Sequence, residues 1–145
     1  MLQRIQSIFL LLTSGAFFSL FGFDFAISNK SLEGVFADQV YNVMDNPILI
    51  GLAALGGILA LVSIFMFKNR PLQLRLGYLL MILSVLLLVA AILLMLGEGL
   101  PTNVGDIVDD SIGMYIPIVA LITTILANRY IKKDDNLVKS SDRLR

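Results

Sequence analysis

The chain has no cysteine and no histidine among its 145 residues. Without cysteine there is no disulfide, no thiolate metal site and no lipoprotein anchor. Without histidine there is no imidazole zinc site, no haem held by an axial histidine and no histidine-based general catalysis. Charge is sparse too, at 15% of residues, and four long runs contain none: Ile5 to Phe23, Ile48 to Phe67, Leu76 to Gly97 and Ile112 to Asn128.

What fills those runs is apolar, in a chain that is 57% hydrophobic. A hydrocarbon core about 30 Å thick is crossed by about 20 helical residues. Backbone amides in lipid must be satisfied within their own segment, which selects helices over open strands. The sequence therefore predicts an all-α membrane protein, a four-transmembrane-helix bundle forming a single domain over 1–145. Its spans are expected at about 5–23, 48–67, 76–97 and 112–128, with a cytoplasmic tail at 129–145, and no room remains for a separate soluble domain.

A formal net charge of zero hides a sorting by side. Met1 to Arg4, Lys68 to Arg75 and Arg129 to Arg145 hold ten of the eleven basic residues and three of the eleven acidic ones. Asp24 to Pro47 and Glu98 to Ser111 hold Lys30 alone against eight acids. Lysine and arginine in short loops are retained in the cytoplasm, so both termini are expected there. A secretory signal at Ile5 to Phe23 is disfavoured, because the run is too long and Asp24-Phe25-Ala26-Ile27-Ser28 is a poor cleavage site.

Along the first span, Gln3 and Gln6 are read as membrane-surface residues, and Thr13, Ser14, Gly15 and Ser19 as helix-packing positions. Hydroxyl contacts between membrane helices contribute about 0.6 to 2 kcal/mol each. The loop from Asp24 to Pro47 is long and too apolar for a solvated linker. It is expected to fold onto the outer end of the bundle, as a hairpin of Asp24 to Ile27 with a strand inside Val35 to Met44, or with a short surface helix at Ala37 to Met44. Asn29 or Gly34 would serve the turns.

Asn46-Pro47 opens the second span, where a first-turn proline loses no needed amide. Ala53 with Gly57, and Gly56 with Ala60, form interleaved small-residue pairs that leave a groove for another backbone, in this chain or a different one. Phe67 to Pro71 is a tight turn that makes spans two and three antiparallel neighbours. Gln73 and Arg75 are read as extending the basic surface, and the third span, with Ser84 its only polar side chain past Tyr78, as the most lipid-exposed.

Asp109 and Asp110 are expected to cap the fourth span. A calcium loop is the sharper alternative, but the glycine and terminal glutamate of such a loop are missing. Pro117 would crowd the carbonyl of Gly113 and kink the helix near its outer end. Thr123, Thr124 and Asn128 are expected to face the bundle.

The tail opens on Arg129-Tyr130-Ile131-Lys132-Lys133, and anionic lipid headgroups attract such cations by about 1 kcal/mol each. A topology anchor explains Lys132 and Lys133 but has no use for Leu137, Val138 and Leu144 lying among Lys139, Arg143 and Arg145. Arg129, Lys132, Lys133, Leu137, Val138, Arg143, Leu144 and Arg145 are therefore the candidate partner-binding residues. The expected partners are a bilayer with anionic headgroups and other membrane proteins, with no nucleic acid.

Reactive chemistry is scarce. No ionisable group lies inside a span, as ion-coupled carriers and proton relays require. The scattered hydroxyls are too few to line a pore within one chain. There is no phosphate loop and no metal-ligand spacing, so no cofactor is expected.

Ile125-Leu126-Ala127-Asn128-Arg129-Tyr130-Ile131-Lys132-Lys133-Asp134 and Leu137-Val138-Lys139-Ser140-Ser141-Asp142-Arg143-Leu144-Arg145 resemble the ending of a small bacterial membrane-protein family catalogued only as a domain of unknown function. Leu2-Gln3-Arg4-Ile5-Gln6-Ser7 and Phe65-Met66-Phe67-Lys68-Asn69-Arg70-Pro71-Leu72-Gln73 fit the same pattern. The resemblance implies a four-span protein of a Gram-negative inner membrane and supplies no activity, substrate or catalytic residue. The expectation is a non-enzymatic accessory or scaffold subunit of a membrane assembly, in protein export or envelope biogenesis. An oligomeric small-solute or lipid transporter or channel component is the alternative. A membrane enzyme using Glu33, Glu98, Asp106 and Asp109 stands third.

Overall fold

A computed structural model describes residues 2–28, 38–97 and 108–142. Four helices run α1 (Leu2–Ser19), α2 (Pro47–Phe65), α3 (Arg70–Gly97) and α4 (Ile116–Asp142). Each packs on its neighbour in sequence, and α4 closes the ring against α1. Three strands, β1 (Ala26–Ser28), β2 (Val40–Tyr41) and β3 (Val108–Asp110), form a small antiparallel sheet in the order β2-β1-β3.

The helix starts follow local chemistry. The Asn46 side chain accepts from the amide of Ile48 at 2.9 Å, and Pro47 follows where its missing N–H would have had no partner. Asn69 does the same for α3, accepting from Leu72 at 3.3 Å ahead of Pro71 in the first turn. With only Met66 to Asn69 between them, α2 and α3 lie antiparallel.

Between apolar helices in lipid there is little hydrophobic gain, so close packing and hydrogen bonds hold the bundle together. Gly56 has the ring of Phe17 against its Cα, and Gly57 has the ring of Phe18. Gly57 also accepts a hydrogen bond from the Ser14 hydroxyl at 3.1 Å. Ala53, Gly56, Gly57 and Ala60 are all buried, and the helix that fills the groove they make is α1. Thr13 meets Thr123 at 2.9 Å and Thr124 at 3.3 Å, tying α1 to α4. Leu10, Phe17, Leu49, Leu80 and Leu87 close the middle of the bundle with no exposure.

Several expectations are corrected. Helix α1 stops at Ser19, with Phe21 and Gly22 bonded back to Phe18 and Ser19 in a turn, so its apolar helical part is only Ile5–Ser19. Among the described residues α2, α3 and α4 are by length and composition long and apolar enough to cross a membrane, and α1 is the shorter apolar helix of the four. Asp109 and Asp110 lie in β3, opposite Ile27 and Ala26, and do not cap a helix. Pro117 is the second residue of α4, after a 3-10 turn at Ile112–Tyr115, so it stands in the first turn of that helix, where its missing amide costs no bond. Gly113 instead admits another segment: its amide donates to the Asp24 carbonyl at 2.9 Å, and a Cβ would strike that carbonyl.

The expected hairpin is present as β1 paired with β2, while Asn29 and Gly34 lie outside the described residues. A 3-10 turn at Val43–Asp45, closed by a capping box with Asn42, takes the place of the surface helix at Ala37 to Met44. The third strand, drawn from the second outer segment, was not expected. Of the three long helices α3 has the smallest buried share, in line with its uniformly apolar composition.

Candidate functional site

At the sheet end of the bundle the described residues pair with one another. Phe25 and Tyr41 are fully buried, with ring centroids 5.4 Å apart. The Tyr41 hydroxyl donates to the Ala91 carbonyl at 3.0 Å. The amides of Phe25, Ser28 and Ser111 donate to Tyr41, Gln39 and Phe25 at 2.7 to 2.9 Å. Asp38, Asp45 and Asp109 are exposed at this end and Asp24 is half-buried. Desolvation, helped by Asp38 and Asp24, raises the Asp45 carboxyl above the ordinary range against the lowering pull of the Asn42 amide.

The opposite, basic end differs in two ways. First, α4 does not stop where its apolar sequence stops. It continues as one helix to Asp142, so the segment from Arg129 is helical and adds about 20 Å of length at 1.5 Å per residue. Arg70 on α3 pairs with Asp134 at 3.0 Å and holds the first turns of this extension. The Phe9 ring stacks on Tyr130 at 5.5 Å and an interplanar angle of 9° from the α1 side. Farther out, Lys139 pairs with Asp135 within the helix itself at 2.6 Å.

On this helix Leu126, Arg129, Tyr130, Lys132, Lys133 and Asn136 line a groove of about 590 Å³. They recur at three- and four-residue steps, so they share one face, graded from an apolar floor to three cations. Leu137 and Val138 lie beyond it, 50% and 38% exposed. Arg143, Leu144 and Arg145 lie outside the described residues.

Second, the interior at this end is polar. Gln6 and Gln73, read from the sequence as surface residues, are 1% and 0% exposed. Asn128 faces the bundle as expected, wedged against the bare Cα of Gly77, and Gln73 donates through Nε2 to the Ser63 carbonyl at 3.0 Å. A signal was present in the spacing. Gln6 lies four residues from Leu10 and seven from Thr13, and Gln73 four from Gly77 and seven from Leu80, which are the intervals of one buried helix face.

Among the described residues no group of three or more carboxylates, histidines or cysteines could hold a metal. The carboxylates Glu33, Glu98 and Asp106 lie outside them, and Asp109 is exposed in β3.

A helical bundle with three helices long and apolar enough to cross a bilayer defines, by length and composition, a small polytopic membrane protein. Residues 2–144 match the family model described as "Domain of unknown function (DUF4293)", and the chain belongs to that family. The match takes in the opening, turn and tail segments that carried the resemblance. No curated protein and no solved structure matches the chain.

Proposed function

We propose that this protein is a non-enzymatic accessory or scaffold subunit of an assembly in the bacterial inner membrane, with both termini in the cytoplasm, serving protein export or envelope biogenesis. The observation that carries the reading is the continuation of α4 past its apolar stretch as an exposed helix. A membrane anchor needs only the cations beside the bilayer. This helix goes on to carry the exposed Leu137 and, beside it, Val138, 38% exposed. Exposed apolar side chains on a rigid helix are what a partner groove takes up.

In this arrangement Arg129, Lys132 and Lys133 rest against anionic headgroups and set the height of the helix, and Leu137 and Val138 engage another membrane protein. Leu10, Phe17, Leu80 and Leu87 fill the middle of the bundle with no exposure, which favours the scaffold over a pore formed by the monomer.

The test is photo-crosslinking in intact cells from position 137, with position 122 on the apolar part of α4 as control. A discrete protein adduct from 137, absent from 122, is expected. If native purification of a chain ending at Asn136 recovers the same partners in the same amounts as full-length protein, the assignment is wrong.

A further inference from the structure

At the basic end the four helices each contribute a buried polar side chain: Gln6 from α1, Ser63 from α2, Gln73 from α3 and Asn128 from α4. Contacts place them at neighbouring levels. Gln73 reaches the Ser63 carbonyl, and one turn along α3 Gly77 abuts Asn128. The antiparallel register set by Thr13 with Thr123 and Phe9 with Tyr130, continued one turn outward, brings Gln6 beside Ile131, three residues from Asn128.

Among the described residues seven buried side-chain atoms have no hydrogen-bond partner: both amide atoms of Gln6, both of Asn128, Oε1 of Gln73, Oγ of Ser63 and Nε of Arg70. All seven belong to this end. Elsewhere inside the bundle the hydroxyls of Thr13, Ser14, Ser84, Thr123 and Thr124 are all paired.

We propose that this four-helix layer of Gln6, Ser63, Gln73 and Asn128 is a built hydration site, holding ordered water inside the bundle just within the Arg70–Asp134 pair. A polar group buried without a partner costs about 1 to 3 kcal/mol, so six such atoms in one layer call for an occupant. The occupant must both donate and accept, because the free atoms include amide N–H groups and the Ser63 hydroxyl as well as three carboxamide oxygens. It is taken to be neutral, because the four side chains are uncharged and the Arg70 guanidinium nearby is matched by Asp134. A buried water takes two to four polar partners, so the layer suits about two or three.

Direct pairing among the side chains is opposed by their placement. Gln73 commits its Nε2 to α2, and Asn128 is held in the notch of Gly77. Water reaches the layer from the basic end, where Arg70 and Asp134 stand one turn outside Gln73 and Ile131 and are 28% and 17% exposed.

The test uses the full-length protein in lipid bilayers and solid-state NMR transfer from water protons to side chains. The carboxamide protons of Gln6, Gln73 and Asn128 are expected to receive water magnetisation at mixing times that leave the hydroxyls of Ser84 and Thr124 silent. Carboxamides that stay silent while coupling to one another would overturn the proposal. A second arm measures thermal stability of Gln6→Leu. In a hydrated layer this substitution strips partners from the shared water and lowers the melting midpoint by several degrees, whereas in a dry layer it removes two unpaired atoms and raises it. A shift of several degrees in the wild-type midpoint on replacing choline by sodium or potassium at equal ionic strength would make the occupant an ion and also overturn the proposal.

Discussion

The two ends of this bundle solve the same problem differently. At the sheet end, the chain between helices supplies its own partners: β1 is paired on both sides, Tyr41 is tied to the Ala91 carbonyl, and Gly113 lets Asp24 come close enough to bond. At the basic end the connection from α2 to α3 is only four residues long, and among the described residues no partner meets the carboxamides of Gln6 and Asn128 or Oε1 of Gln73. A long loop can fold into a lid; a short turn cannot. The end that is closed by its own backbone is the structural end, and the end left open to outside partners, both water and protein, is where we place the function.

Substitutions can break this contrast, and the largest effect is expected at Gly113. A side chain there meets backbone, the Asp24 carbonyl, which cannot swing aside. Gly113→Val should destabilise by about 3 kcal/mol, read as a lower melting midpoint in detergent. Tyr41→Phe comes next, at about 1 to 2 kcal/mol, because it removes a buried hydroxyl that is bonded across the bundle.

The matching glycine at the basic end should be gentler. The Cβ of Gly77→Ala meets the buried Asn128 carboxamide, a side chain that must leave its notch where at Gly113 a backbone would have to move; about 1 to 2 kcal/mol is expected. If Gly77→Ala proves as damaging as Gly113→Val, the basic end is as rigid as the other and the contrast fails. A double-mutant cycle on Arg70→Ala and Asp134→Ala should give a coupling of about 0.5 kcal/mol that shrinks with added salt, since both partners are partly exposed.

The smallest effect is at Asp45. Its carboxyl is raised mainly by desolvation, so ionising it costs stability, and that cost appears as pH climbs through the raised value. Asp45→Asn should flatten the pH dependence of the melting midpoint in the acid range and leave the midpoint slightly above wild type near neutrality, where the ionisation cost is fully present.

Much of the bundle was legible because membrane helices announce themselves by what they lack. Charge-free runs located all four helices, Asn46-Pro47 marked the start of α2, and the small residues at Ala53, Gly56, Gly57 and Ala60 marked the face that packs. The errors arose where tertiary contacts overrode local pattern. Apolar residues Leu20 to Phe23 extended the first run on paper, yet in the fold they form the turn that delivers Phe25 to the sheet. Asp109 and Asp110 looked like helix caps, but strand pairing with a segment more than eighty residues earlier claimed them.

Gln6 and Gln73 misled for a related reason. Both stand next to cations at a span end, where polar residues commonly meet headgroups, and only the period that links Gln6 to Leu10 and Gln73 to Gly77 and Leu80 argues for the interior. That the tail is helical was hidden by its mixed charge, which suits an exposed helix and a solvated strand of chain equally well. Its stabilising contacts, Arg70 with Asp134 and Phe9 with Tyr130, come from two other helices.

The difference between the ends is tested most directly by hydrogen exchange of backbone amides in lipid nanodiscs, followed segment by segment. Amides of α4 from Asn128 to Asp134, beside the hydrated layer, should exchange well before those from Ala120 to Thr124 and before the sheet amides of Phe25 and Ser111. Equal protection along α4, or earlier exchange in the sheet, would contradict the assignment of a closed structural end and an open functional one.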